Sequence, residues 1–287
     1  MPFQTKFDHR KHMERPHMQE NLIYDVGLHS GADTDFYLRK GFDVVGIEAN
    51  PSLCRHCEER FSTELAEKRL TIVNRAISEA PGTVDFFVNE KKSLWGTADA
   101  DLMERYGALG ATSYKIQVPS TRMEDVFDEH GTPYYMKVDI EGYDYLCLQA
   151  LVGRNEKPKY ISVEASGTSA AATMHQLDLL KRLGYSKFQI VLQNNVYKQV
   201  CPRPSLEGNY LDFEFGAGTS GLFGKELPGR WIDYDKVVLS YRWIYWNMGF
   251  VGAHIGVFRN VKNGMVRRVL ARLFSAGTGW YDTHATY

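Results

Sequence analysis

With 287 residues and 44% hydrophobic composition, the chain is long enough to bury a full α/β core. Its 34 Lys plus Arg balance 35 Asp plus Glu, so it lacks the basic stripe that binding a phosphate backbone requires, and nucleic acid is excluded as the expected partner. Cys54, Cys57, Cys147 and Cys201 are too few for a disulfide scaffold, the first residues contain no apolar signal core, and no apolar run approaches the roughly 20 residues that cross a bilayer. A protein of the reducing cytoplasm, without a transmembrane segment, is expected.

Residues 1–20 are polar and rich in His, Arg and Met, and are read as an N-terminal extension. NLIYDVG then reads as a buried strand ending in a glycine turn, which starts the core at Asn21. A helix over 33–40, the strand DVVGIE, a helix over 52–68 and the strand RLTIVNRAI follow, a βαβαβ alternation that predicts a parallel sheet. Cys54 and Cys57 form a C-x-x-C inside the second of these helices, with no second cysteine pair to complete a zinc site.

TVDFFVNE reads as an added antiparallel strand, and a polar segment through Ser93, Trp95 and Gly96 leads to the strand-like YKIQVPS. PYYMKVDIEGYDYLCLQAL is a strand running into a helix, KYISVEAS is another strand, and TMHQLDLLKRLGY is a helix stopped at Gly184 before the strand FQIVLQ. Residues 21–193 are therefore expected to form one Rossmann-like core. Residues 194–287 read as an aromatic-rich cap and tail, in which MVRRVLARLF places Val266, Val269, Leu270 and Leu273 on one helical face, as a docked helix or, less simply, a membrane-surface anchor.

The chemistry concentrates at strand ends. The loop after the first strand contains Asp25, Gly27, His29 and Gly31, so backbone amides at the next helix start face whatever lies beyond the strand. A dinucleotide fingerprint would carry a third glycine, and the carboxylate of Asp25 would repel a pyrophosphate but suit a ligand with an ammonium or a sulfonium. Glu48 ends the second strand roughly 20 residues after the glycine loop, where an acid holds ribose hydroxyls. Arg75 and Ala76 fall where a crevice wall beside a purine is expected. Tyr135, Lys137 and Asp139 share one strand face by period two, and Glu164 closes the neighbouring strand, so its carboxylate is expected near Lys137 or Asp139.

The blocks DVGLHSGADTDFYLRKGFDVVGIEANP, NRAISEAPGTVDFFVN and YYMKVDIEGYDYLCLQAL resemble those of the FkbM family methyltransferases, over about Asn21 to Gln193, and the terminal GWYDTHA resembles tails of some bacterial members. The resemblance implies a class I S-adenosylmethionine (SAM) dependent methyltransferase fold, Rossmann-like, with a mostly parallel sheet and helices on both faces. It implies O-methylation, often of sugars or other secondary-metabolite hydroxyls. It matches Asp25, Gly27, His29 and Gly31 to the family's cofactor loop, Glu48 to its ribose acid, and Asp139, Glu141 and Gly142 to its D-I-E-G motif. The cofactor-binding set expected is thus Asp25, Gly27, His29, Gly31, Thr34, Glu48, Arg75, Ala76 and Asp139.

Transfer from a sulfonium to an alcohol needs alignment, exclusion of water and removal of the hydroxyl proton. Asp139 is the expected base, with Glu164 near it, Lys137 holding the carboxylates and His29 as the alternative base. A divalent ion on Asp139 and Glu164 is chemically reasonable for a diol, but no ligand cluster asserts it, and no metal is expected. Trp231, Trp243 and Trp246 are candidates for stacking on a sugar, and Asp233, Tyr234 and Asp235 for binding its hydroxyls. The rival readings are an NAD(P)-dependent oxidoreductase, which here lacks both the third glycine and any Y-x-x-x-K, and a non-catalytic nucleoside- or glycan-binding module.

Overall fold

The computed structural model of the chain describes residues 18–89, 97, 113–140, 142–216, 218–252, 256–258, 261 and 264–287. Most of the polar N-terminal extension, the segment containing Ser93, Trp95 and Gly96, and Glu141 lie outside the described residues.

Along the chain the first half gives β1 (Gln19–Val26), α1 (Ala32–Arg39), β2 (Asp43–Ile47), α2 (Pro51–Arg60), α3 (Ser62–Ala66), β3 (Leu70–Val73), β4 (Ala76–Ile77), β5 (Gly82–Asn89) and β6 (Ser113–Thr121). The second half gives α4 (Met123–His130), β7 (Pro133–Val138), α5 (Asp144–Gln149), β8 (Tyr160–Glu164), α6 (Ala170–Arg182), β9 (Lys187–Leu192), α7 (Tyr234–Val251), α8 (Gly264–Leu273) and β10 (Tyr281–Thr286). Seven strands form one sheet in the order β3-β2-β1-β7-β8-β10-β9. β10 runs antiparallel to β8 and β9, whereas the pairs from β3 through β8 are all parallel. This is the mostly parallel α/β sheet the alternating pattern predicts, with its last strand drawn from the final residues of the chain.

Two runs read as single elements are each divided. The helix expected over 52–68 is α2, capped by the Asn50 side chain accepting from Ser52 N with Pro51 in its first turn, then α3, because Phe61 leaves helical geometry while burying its ring. The strand RLTIVNRAI becomes β3 in the main sheet and β4 in a second sheet of order β4-β6-β5. Between them Asn74 Nδ2 donates to the carbonyls of Glu48 and Ala49, which fixes where the chain leaves the main sheet. β5 pairs antiparallel with β6, as TVDFFVNE indicates.

Alternate residues of the sheet feed two cores. Tyr24, Val26, Met136, Val138, Ile161 and Val163 face α4, α5, α6 and α7, while Ile23, Val44, Tyr135 and Tyr160 face α1, α2 and the aromatic segment that carries Phe215 and Phe223. Phe223 stacks on Tyr135 at 4.7 Å and meets Tyr37 edge-on at 5.4 Å. The same layer is fastened by Lys40, whose Nζ lies 2.8 Å from Glu226 Oε2 with neither side chain exposed. None of the described helices is long and apolar enough to cross a membrane.

Candidate active site

Parallel strands bring their carboxyl ends to one edge, and a cleft opens there, outside β1, β2 and β7. It is lined by Gly27 and His29 after β1, Glu48 and Asn50 after β2, Arg75 and Ala76 ahead of and in β4, Phe86 of β5, and Lys137, Asp139 and Tyr143 around the end of β7. Leu28, Ala32, Asp33, Ile47, Ala49, Leu53, Ile77, Ile140 and Gly218 complete the wall.

The β1 loop is shaped by left-handed backbone. Gly27 has φ 95° and His29 φ 50°. A Cβ on Gly27 would stand 1.9 Å from the carbonyl oxygen of Asp139, so this position excludes any side chain on steric grounds as well as by its dihedral. Gly31, at φ 75°, turns the chain into α1, and a Cβ there would meet the Phe61 ring at 2.4 Å.

Glu48 orders that loop. Its Oε2 accepts from His29 N at 2.9 Å and its Oε1 from Asn50 N at 2.8 Å. Burial pushes its carboxyl above the usual range, while those two N–H donors pull it back. A carboxylate offers about four acceptor sites, so two remain for hydroxyls presented from the cleft.

Beneath the loop lies a buried charge cluster on the sheet face that also carries Ile23 and Tyr135. Lys137 Nζ is 3.2 Å from Asp25 Oδ1, 3.5 Å from Asp33 Oδ2 and 3.8 Å from Asp139 Oδ2. Thr34 Oγ1 donates to Asp25 Oδ2 at 2.8 Å, and Asp33 Oδ1 accepts from Ser220 N at 2.7 Å. Burial alone would lower the Lys137 pKa, but Asp25, Asp33 and Asp139 together hold it well above its ordinary value. Burial pushes Asp33 up to about 6 against the pull of Lys137. Three carboxylates around one ammonium leave the cluster with excess negative charge, which favours a cationic ligand beside it.

The expected residues fall into four groups, one of them Gly31 alone, which turns the chain into α1 and is not on the cleft wall. Gly27, His29, Glu48, Arg75, Ala76, Lys137 and Asp139 all reach the cleft wall. Asp25 and Thr34 are fully buried and bonded to each other, and neither is on the cleft wall. Glu164 pairs across strands with Asp282 and does not line the cleft, and the ion pairs of Lys137 among the described residues run to Asp25, Asp33 and Asp139. Burial, then Lys137, lowers the His29 pKa and keeps the imidazole neutral near pH 7.

Asp139 is different from its neighbours: its side chain is 43% exposed and open to the cleft. Its backbone N donates to Val26 O, which ties the end of β7 to β1. The turn that follows is closed by Asp144, which accepts from the backbone N of Ile140 and Gly142.

Sequence reasoning missed Asp33, Asp282 and His284. An acid in the first helical turn, such as Asp33, ordinarily reads as a dipole partner, and only its contact with Lys137 marks it out. Asp282 and His284 alternate on β10, where both are buried. Burial raises Asp282 well above its usual range and lowers His284 to about 3.

Trp243 and Trp246 stack on each other away from the cleft, and Trp231 lies 6.0 Å from Tyr160. Among the described residues no group of His, Cys, Asp and Glu is placed to hold a metal ion. Cys54 and Cys57 are buried thiols whose pKa values burial raises, so neither forms a ready thiolate.

The cleft suits SAM on chemical grounds: Glu48 for ribose hydroxyls, apolar Ile47, Leu53, Ala76 and Ile77 for a purine, and excess carboxylate for the charged end. A family model described as the methyltransferase FkbM domain matches residues 25–187. No curated protein matches the chain. Among solved structures, it is similar to a precorrin-6y C5,15-methyltransferase from Geobacter metallireducens, at 11% identity and TM-score 0.36 over 61% of this chain and 68% of that one. It is also similar to a SAM dependent methyltransferase from Archaeoglobus fulgidus, at 9% identity and TM-score 0.38 over 93% of this chain and 86% of that one.

Proposed function

The chain belongs to the FkbM methyltransferase family and uses SAM, and on that premise we propose that it methylates a hydroxyl oxygen on a sugar or glycosylated metabolite. The observation that carries the reading is Asp139: one carboxylate of the cluster, 3.8 Å from the Lys137 ammonium, is open to the cleft where the others are buried. A carboxylate open to the cleft can come within hydrogen-bond reach of an acceptor hydroxyl, as a general base must.

Bound SAM supplies a methyl group on a sulfonium, an electrophile that needs no metal. The residues do the remaining work. Glu48 would hold the ribose hydroxyls of the cofactor through its remaining acceptor sites, and Gly27 leaves room for the loop to close on the end of β7. Lys137, fixed by Asp25 and Asp33, holds Asp139 in place through the ion pair at 3.8 Å. Asp139 accepts the hydroxyl proton as the oxygen is methylated. His29, neutral at the loop, is the second group able to take that proton. Asp25 contributes field, not contact, toward the positive cofactor. That same field disfavours the pyrophosphate of NAD, the basis of the oxidoreductase alternative.

The test is a screen of methyl-labelled SAM against free glycans, glycosylated metabolites and lipid-linked sugars, followed by mild base. Label that survives base and maps by mass spectrometry to a hydroxyl oxygen is expected, because a methyl ether resists hydrolysis, a methyl ester does not, and fragmentation separates an ether from an N-methyl amine. Label confined to carboxyl or amine products rejects the hydroxyl reading.

A further inference from the structure

From Lys236 to Tyr281 the chain contains seven Lys or Arg and no Asp or Glu, although the whole chain balances 34 basic against 35 acidic residues. This stretch holds α8, all of α7 beyond Tyr234 and Asp235, and three of the five tryptophans. Its aromatic rings are linked across the two helices: Trp243 stacks on Trp246 at 5.0 Å, Trp246 lies 5.9 Å from Phe274, and Phe250 stacks on Phe274 at 4.5 Å.

Phe274 joins α8 to α7, but the apolar stripe of α8 faces elsewhere. At 3.6 residues per turn, Val269 and Leu273 sit on one side of the helix, with Arg268 and Arg272 along its edge. Leu273 is 67% and Val269 53% exposed, and on α7 Leu239, Trp243 and Trp246 are 61, 58 and 52% exposed. Leu239 and Trp243 also line a groove with Ile232 and Arg230, so the apolar surface continues off the helices.

We propose that this face rests on an anionic lipid bilayer, Val269, Leu273, Trp243 and Trp246 entering the interface and Arg268 and Arg272 meeting the phosphates. The arrangement has the components of an interfacial surface: an amphipathic helix with arginines at the edge of its apolar stripe, and tryptophans whose rings favour the boundary between headgroup and acyl chain. Charge selects among occupants. A second copy of this chain placed on the same face would set Arg268 and Arg272 against their own copies, whereas an anionic leaflet attracts both. The association is independent of the methyl-transfer reading and requires neither cofactor nor acceptor.

The full chain, without SAM, is floated with vesicles of phosphatidylcholine alone and of phosphatidylcholine mixed with phosphatidylglycerol. Binding to the mixed vesicles only, weakened by added salt and accompanied by a blue shift of tryptophan emission, is expected. Replacing Arg268 and Arg272 together by Ser is expected to weaken partitioning about 25-fold, roughly fivefold for each charge. Val269→Ser with Leu273→Ser, at exposed positions where folding is undisturbed, is expected to weaken it by roughly tenfold or more. Equal partitioning to neutral and anionic vesicles, or none to either, overturns the proposal. So does a stable dimer by light scattering that Leu273→Ser dissociates, which assigns the face to a second copy.

Discussion

Lys137 and Asp25 stand directly opposite each other on the neighbouring parallel strands β7 and β1, and their charges meet at 3.2 Å with almost no exposure to solvent. Register, not side-chain reach, makes this pair. Removing one partner leaves the other as a buried, uncompensated charge, so Lys137→Met is expected to lower stability by about 3–5 kcal/mol. Urea unfolding measures it, and a loss below about 1 kcal/mol would contradict the burial described for the cluster.

Glu48 is expected to bind the ribose of the cofactor through its remaining acceptor sites. Glu48→Gln should weaken SAM binding by about 1.5–3 kcal/mol, the value of hydrogen bonds to a charged group, and should also loosen the His29 loop. Calorimetry with SAM and with its demethylated product decides the point, and unchanged affinity for both removes Glu48 from the cofactor site.

Asp139→Asn preserves size and the Val26 hydrogen bond made by its main chain. Loss of a general base typically lowers rate by about 10²–10⁴, so kcat on the true acceptor should fall by that order while SAM affinity changes little. A folded variant with near-normal kcat transfers the proton-accepting role to His29.

His284 is buried against Tyr135, and its Nε2 has no hydrogen-bond partner among the described residues. Burial lowers its pKa from 6.5 to about 3, so the folded chain keeps the ring neutral while the unfolded chain protonates it below pH 6.5. Its contribution is therefore fully present above pH 6.5 and lost as pH falls from 6.5 toward 3. Between pH 8 and pH 5 the wild type should lose about 2 kcal/mol relative to His284→Gln. Parallel stability curves for the two proteins would show that the ring is solvated.

Glu226 accepts from Lys40 Nζ, Ser205 Oγ and the backbone N of Leu206 and Glu207. Glu226→Ala leaves Lys40 buried without a counter-ion and should cost about 3–5 kcal/mol. Hydrogen exchange should increase over both α1 and the 205–226 segment, because the pair joins them. An increase confined to the later segment would mean that α1 does not depend on it.

Local pattern determined much of this protein. Alternation of apolar runs with helical periods made the parallel sheet legible from Asn21 onward, since burial on both faces forces near-continuous Val, Ile and Leu. Glycines and acids at strand ends located Gly27, Glu48 and Asp139, because in an open α/β sheet every parallel strand delivers its last residue to the same edge.

Tertiary structure decided the rest, because it depends on residues distant in sequence. Periodicity placed Lys137 and Asp139 on one face, but only the pairing of β7 with β1 and the packing of α1 made Asp25 and Asp33 the partners of Lys137 and left Glu164 outside the cleft. The segment after Gln193 lost the α/β alternation, yet its last strand, β10, enters the sheet antiparallel between β8 and β9 and buries Asp282 and His284. Insertion of a strand is a matter of long-range hydrogen bonding, which no local propensity encodes. The tryptophans read as sugar-stacking candidates show the same limit. Composition identified them, but only the placement of α7 and α8 turned Trp243 and Trp246 toward solvent and away from the cleft at the strand ends.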